Sequence, residues 1–218
     1  MTVPVSLRLR DHAYSNFTEM LLARDIQPGQ IVSQRELVEL TGMPLGAIRE
    51  MIPRLEADGL IKTVPKRGLQ VLSIDLDLVR NAFQLRSIIE GEAILQFCRT
   101  APLDVIDRLT REHQQIRDTA ATSVSPDILQ TAQQIDWAFH DQIIDAMGNA
   151  IISDIHRVNA IKIRLIRNTD TRILPELLVP VFDEHLAILA ALKDRDGTGA
   201  VRAIHAHIES AKKRALGM

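Results

Sequence analysis

Residues 136–140 read Asp-Trp-Ala-Phe-His. On a helix, positions four apart share a face roughly 6 Å apart, so Asp136 and His140 aim at one centre, with Trp137 and Phe139 as apolar walls. Alone, such a pair is ordinarily a hydrogen-bonded core feature. Further along the chain, "FDEHLAILAAL" puts His185 on the apolar side of its helix with Leu189 and Leu192, and "AVRAIHAHIESA" offers His205 and His207. One carboxylate and three imidazoles suit a divalent metal with positions left open for water or a ligand. If Val201, Ile204, Ile208, Ala211 and Ala215 form the buried stripe, His205 and His207 each lie about 80° from its centre. Periodicity therefore does not choose between them, and spacing does not exclude His156. Three chemistries fit such a set: a bound metal that senses a ligand, a metal-dependent enzyme that activates water against small carboxylic acids, or histidines that are structural. No general-base motif accompanies the set, which weighs against the enzyme.

The elements that must position these residues are helices. From Asp75 onward the pattern is helical, with breaks near residues 100–104, 121–127, 147–149, 169–176 and 195–199, which leaves about six helices. The first 72 residues read differently. A helix over about 7–25 ends at "QPG"; a short helix follows in "SQRELVEL", with Ser33 as N-cap and Glu36 as its capping-box partner. After "TGM", Pro44 opens a third helix carrying Ile48, Ile52 and Leu55 on one face, and Pro53 inside it removes a backbone hydrogen bond. "LIKTV", "PKRG" and "LQVLSI" then read as a hairpin with Gly68 in its turn. The division is residues 1–72, a linker at 73–76, and an all-α unit at 77–218.

Two short helices around a glycine-containing turn form a helix-turn-helix, whose second helix enters the major groove. The hairpin behaves as a wing whose tip carries Lys66 and Arg67, with Lys62 nearby, within reach of phosphates or the minor groove. Net charge over the whole chain is only −2, so a nucleic acid must be met by a local patch. Lys and Arg number nine against eight Asp and Glu in residues 1–72, and 17 against 20 in the remainder. The single cysteine, Cys98, excludes an internal disulfide and fits a reducing compartment. Without a secretory leader or a run of roughly 18 apolar residues, the expectation is a cytoplasmic protein with no membrane partner.

The stretch "IQPGQIVSQRELVELTGMPLGAIREMIPRLEADGLIKTVPKRGLQV" resembles the DNA-binding domain of the GntR family of bacterial regulators, with its "PG", "REL", "IRE", "RLEADGL" and "RG" positions in family order. The resemblance implies a homodimer on a partly palindromic double-stranded DNA operator. It also implies DNA contacts at Arg35 and Arg49, and at the wing Arg67 and Gly68 beside Lys66. Pro44, Leu45, Gly46 and Ala47 stand where the family has a polar run, so side-chain contacts to bases are missing there, while Gly46 and Ala47 would allow close backbone approach. The segments "FQLRSIIEGEA", "DWAFHDQIIDAMGN", "EHLAILAALKDRD" and "AIHAHI" resemble the FCD ligand-binding domain of FadR-type regulators over most of residues 75–210. That likeness implies a mainly α fold, a winged helix-turn-helix followed by an all-α helical-bundle FCD domain. It implies a divalent metal on Asp136, His140, His185 and His207, with zinc the first expectation and nickel or manganese the alternatives, and leaves His205 on the surface. It also places Arg86 where a family arginine meets the carboxylate of a small organic acid effector; the bland reading of Arg86 is an ion pair with Glu90. Arg164 and Arg167 are weaker candidates for the cavity, at least one of them expected to be a solvated charge.

Overall fold

The computed structural model describes residues 5–170 and 175–217, which form two compact units, Met1–Leu78 and Val79–Met218. In the first, α1 (Val5–Ala23) precedes a two-residue strand β1 (Ile31–Val32), the helix pair α2 (Gln34–Thr41) and α3 (Leu45–Ala57), and the hairpin β2 (Ile61–Val64) and β3 (Gly68–Val71). Phe17, Leu21, Ile26, Leu37, Ile48, Met51, Leu55 and Leu60 fill its core. The capping box forms: Ser33 Oγ accepts from Glu36 N at 3.1 Å, and Ser33 N donates to Glu36 Oε2 at 2.6 Å. Gly42 ends α2 at φ 67°, a left-handed conformation that suits glycine, and α3 runs on through an exposed Pro53.

The hairpin is one part of a three-stranded antiparallel sheet ordered β1-β3-β2, with Ile31 opposite Gln70 and Val32 opposite Leu69. The sequence reading missed β1, because two residues are too short to show a period of two. Gly68 has a structural reason as well as its expected one: at φ 119°, a Cβ there would come 2.8 Å from the Val32 carbonyl oxygen.

The second unit contains α4 (Leu76–Thr100, which begins at the end of the first unit), α5 (Leu103–Thr122), α6 (Pro126–Asp145), α7 (Ala150–Asp170), a 3-10 turn (Pro175–Leu177), α8 (Leu178–Lys193) and α9 (Gly197–Ala215). The helices break where the sequence breaks, although part of the break at 169–176 lies outside the described residues. Helix α8 packs along α5 on one side and α9 on the other, and α6 packs on α5 and α7. Apolar side chains such as Ile116, Ala132, Leu178, Val181 and Phe182 close one part of the bundle. Another part of its interior is polar.

Candidate metal centre and DNA-contact residues

Asp136, His140, His185 and His207 are all buried, and each offers one ligand atom such that the four lie within 4.8 Å of one another. Asp136 and His140 project from α6, one turn apart; His185 comes from α8 and His207 from α9. Periodicity left His205 and His207 open; in the fold His207 turns inward, whereas His205 is exposed and meets the Ser87 carbonyl at 3.2 Å.

Hydrogen bonds on the outer ring nitrogens set the tautomers. His140 Nδ1 lies 2.8 Å from Glu90 Oε2, and His207 Nδ1 lies 2.7 Å from Oε2 of Glu184, whose carboxylate Arg214 clamps with bonds of 3.0 Å to Oε1 and 3.2 Å to Oε2. A carboxylate only accepts, so each Nδ1 donates and each neutral ring carries its lone pair on Nε2, pointing inward. Burial first, then neighbouring imidazoles, push His185 and His207 well below the ordinary histidine range, so both are neutral ligand-competent rings at pH 7. Burial pushes the Asp136 carboxyl up, but the Arg167 guanidinium, 2.8 Å from its Oδ2, outweighs it and holds the acid well below the usual carboxylate range. Because His185 is neutral, that shift rests on Arg167.

The arrangement fits a divalent ion. Asp136 Oδ1 is buried without a hydrogen-bond partner, 3.4 Å from His185 Nε2 and 3.9 Å from His140 Nε2, while His185 Nε2 stands 3.3 Å from His207 Nε2. Metal–ligand bonds of about 2.0–2.1 Å give tetrahedral edges of about 3.3 Å, so most of these separations need little closing. A buried carboxylate oxygen with no donor, facing imidazole nitrogens, is costly unless something positive lies beside it.

Beside this group is a cavity of about 30 Å³ lined by Arg86, Trp137, His156, Asn159, Arg164 and Arg167 among others. Trp137 lies under the Arg164 guanidinium, 4.0 Å from ring centroid to Cζ, and Phe139 is packed among the rings of His113, His140 and His185. Both aromatics of the Asp136–His140 segment thus wall the site. Arg164 and Arg167 both line the cavity, and neither is a solvated charge: Arg164 faces Asp141 at 3.6 Å and Arg167 binds Asp136. His156 bonds Asp141 at 3.0 Å at the cavity wall, outside the group of four.

Arg86 is buried. Its Nε donates to Glu90 Oε1 at 2.7 Å, and its Nη2 donates to His140 Nε2 at 2.7 Å. The ion pair with Glu90 that the bland reading of Arg86 expected is present, and Arg86 also lines the cavity. Burial opposes ionisation of Glu90, but Arg86 and then His140 hold it well below the usual carboxylate range. Glu90, Glu184 and His113 are neighbours of the four-residue group that the sequence did not single out as site residues. Glu90 was legible, since Phe83, Arg86, Glu90, Ile94 and Phe97 follow one helical stripe, which buries both charges of that pair. His113, fully buried against His185 and bonded through Nδ1 to the Leu109 carbonyl at 2.7 Å, has no motif to mark it.

In the first unit the nominated DNA contacts are on the surface. Arg35, on α2, pairs with Glu39 at 3.2 Å, and Arg49, on α3, donates to Gln34 Oε1 at 3.3 Å. Lys66 and Arg67 are exposed at the β2–β3 turn, where Lys66 takes φ 63°. Ala47 is 5% exposed and packs into the core, so of the two small residues expected to approach the duplex only Gly46 faces outward.

A winged helix-turn-helix unit joined in one chain to a helical bundle is the architecture of a DNA-binding regulator with a second, all-α domain. Residues 9–71 match the gntR family of bacterial regulatory proteins and residues 81–210 match the FCD domain, and the chain belongs to this family of transcription regulators rather than to the enzymes. It is 22% identical to the "Probable HTH-type transcriptional regulator LgoR" of Escherichia coli K12 over 90% of this chain, and spans 64% of the length of LgoR. It is 26% identical to the HTH-type transcriptional repressor RspR of the same organism, covering 87% of this chain and 83% of RspR. Among solved structures, E. coli McbR/YncC superposes with TM-score 0.72 at 16% identity, over 99% of both chains. The metal-free FCD domain of TM0439 does so with TM-score 0.54 at 17% identity, over 66% of this chain and 96% of that one. At those identities the structural likeness speaks for the fold.

Proposed function

We propose that this regulator senses a small organic acid at a metal-containing cavity in its FCD domain and, as a homodimer, couples that event to binding of a double-stranded DNA operator. The observation that carries the reading is the convergence of four buried ligand atoms, with carboxylates fixing the outer nitrogens of His140 and His207. Asp136, His140, His185 and His207 would hold the ion, zinc first and nickel or manganese as alternatives, and Glu90, Glu184 and Arg167 orient them. When bound, such an ion supplies open coordination positions to carboxylate oxygens. Arg86, Arg164 and Arg167 surround the same cavity with guanidinium groups, whose planar forks suit a carboxylate.

In the other unit, Arg35 and Arg49 on the helix pair, and Lys66 and Arg67 at the wing tip, are the proposed contacts, with Gly68 holding the wing against β1. A bacterial regulator of this kind works in the cytoplasm, beside the chromosome. Effector binding can move operator affinity only by as much as the acid prefers one arrangement of the dimer over another. Among the described residues no helix is long and apolar enough to cross a membrane.

Metal analysis of purified protein tests the site. His140→Ala, His185→Ala and His207→Ala should each lower occupancy ten- to a hundredfold or more, on the order of the loss from disturbing a metal-ligand shell, whereas His205→Ala should leave it unchanged. Equal occupancy across all four folded variants would return the histidines to a structural role.

A further inference from the structure

Arg86, Glu90 and His140 form a closed ring of hydrogen bonds. Arg86 Nε bonds Glu90 Oε1 at 2.7 Å, Glu90 Oε2 takes the Nδ1 proton of His140 at 2.8 Å, and His140 Nε2 accepts from Arg86 Nη2 at 2.7 Å. The third bond matters most. Glu90 fixes His140 as the Nδ1–H tautomer, so Nε2 has one in-plane lone pair, and the guanidinium occupies it. That lone pair is the one His140 would offer to a metal. An imidazole nitrogen cannot accept an N–H bond and ligate a cation through the same lone pair.

We propose that Arg86 is a competitor for the metal at His140 and that it must leave His140 before the four-residue shell can close. The inference rests on the metal reading above. Arg86 is then a two-position residue: bonded to His140 Nε2 in one state, and in the other still anchored to Glu90 through Nε with its Nη2 freed toward the cavity beside Trp137 and Arg164. The wider spacing of His140 from Asp136 Oδ1, 3.9 Å against 3.4 Å for His185, agrees with an imidazole held off the centre by another partner. Coupling follows by linkage. Loading the metal makes a guanidinium available to an anion, and an anion that engages Arg86 makes His140 available to the metal, so each strengthens the other by the same factor.

Zinc affinity, measured by competition against a chromophoric chelator in carboxylate-free buffer, tests this in the full-length protein. Arg86→Lys keeps a cation for Glu90 but, with one compact ammonium, cannot span Glu90 and His140 as the fork does. Arg86→Gln removes the charge as well. Both should bind zinc at least about tenfold more tightly than wild type, the factor that losing one charge-assisted hydrogen bond to the competing site gives. Tighter binding in Arg86→Gln alone would show that general charge repulsion, and not occupation of the lone pair, is at work, and would overturn the proposal. Equal or weaker binding in both folded variants would overturn it too, while loss of zinc in His185→Ala still upheld the metal site. Absence of zinc binding in wild type and variants alike would remove the metal reading and this inference together. Should either variant fail to fold, wild-type protein labelled with 15N-arginine supplies the readout. The Arg86 Nη signals must shift on zinc addition, and signals unchanged at full zinc occupancy would refute the exchange.

Discussion

Arg35 with Glu39, and Arg86 with Glu90, are the same pair at the same four-residue spacing, one in each unit. The first bonds at 3.2 Å with its side chains 91% and 63% exposed; the second bonds at 2.7 Å with 6% and 1%. In water an i,i+4 pair contributes about 0.3–0.5 kcal/mol and its members stay free to turn to another partner. Out of water the pair itself gives little net stability, but neither member can be removed cheaply, because the survivor is a buried charge. The comparison separates two ways of carrying function. On the proposed reading the DNA-binding unit would carry it on exposed cations over an apolar core, so fold and function would be nearly independent. The FCD domain would carry it inside the core, where the groups proposed to hold a metal also link the helices.

The largest expected effect breaks the buried pair. Glu90→Ala should cost about 3–5 kcal/mol in denaturant unfolding, since Arg86 loses its counter-charge and His140 its tautomer partner. A loss below about 1 kcal/mol would mean that water reaches the pair and that the contrast between the two units is false. Next is Tyr14, buried in the first unit, whose phenol donates to Asp58 at 2.7 Å under the Arg54 guanidinium. Tyr14→Phe should cost about 1.5–3 kcal/mol near pH 7. Burial first, then Asp58, raise the Tyr14 pKa well above its usual value. A raised folded pKa adds stability that is full below the unfolded value of about 10 and is lost as pH rises through the folded value. The wild-type advantage over Tyr14→Phe should therefore shrink in melts above about pH 10; a constant gap would refute the buried phenol.

Smaller again is Glu39→Ala, expected to change stability by no more than about 0.5 kcal/mol; a cost like that of Glu90→Ala would erase the comparison from the other side. Smallest in stability is the double change Lys66→Ala, Arg67→Ala, which should leave the melt untouched. It should still lower operator affinity and cut the slope of log affinity against log salt by about 3.6 for the proposed homodimer, if each of its four wing-tip cations meets one phosphate. An unaltered salt slope in fluorescence anisotropy would place the DNA contacts elsewhere.

What the sequence by itself determined is what local pattern encodes. Helix periodicity, the Ser33–Glu36 capping box, the glycine and proline breaks and the four-residue spacing of Asp136 and His140 depend on neighbours a few positions away, and the chain displays them directly. The order of the motifs carried the family. Strand β1 escaped because two residues make no pattern, and His205 and His207 could not be separated because each sat at the margin of the apolar stripe. Only the tertiary structure decided which histidine turns inward, that Ala47 belongs to the core, and that Arg164 and Arg167 face a cavity. It also decided that Glu90 and Glu184 set the tautomers of His140 and His207. The reason is dielectric as well as geometric. The four-residue spacing of a charge pair is the same in water or in a bundle; the apolar stripe around Arg86 and Glu90 marks an inward face, but helices far apart along the chain supply the burial and the partners that make the pair part of the site.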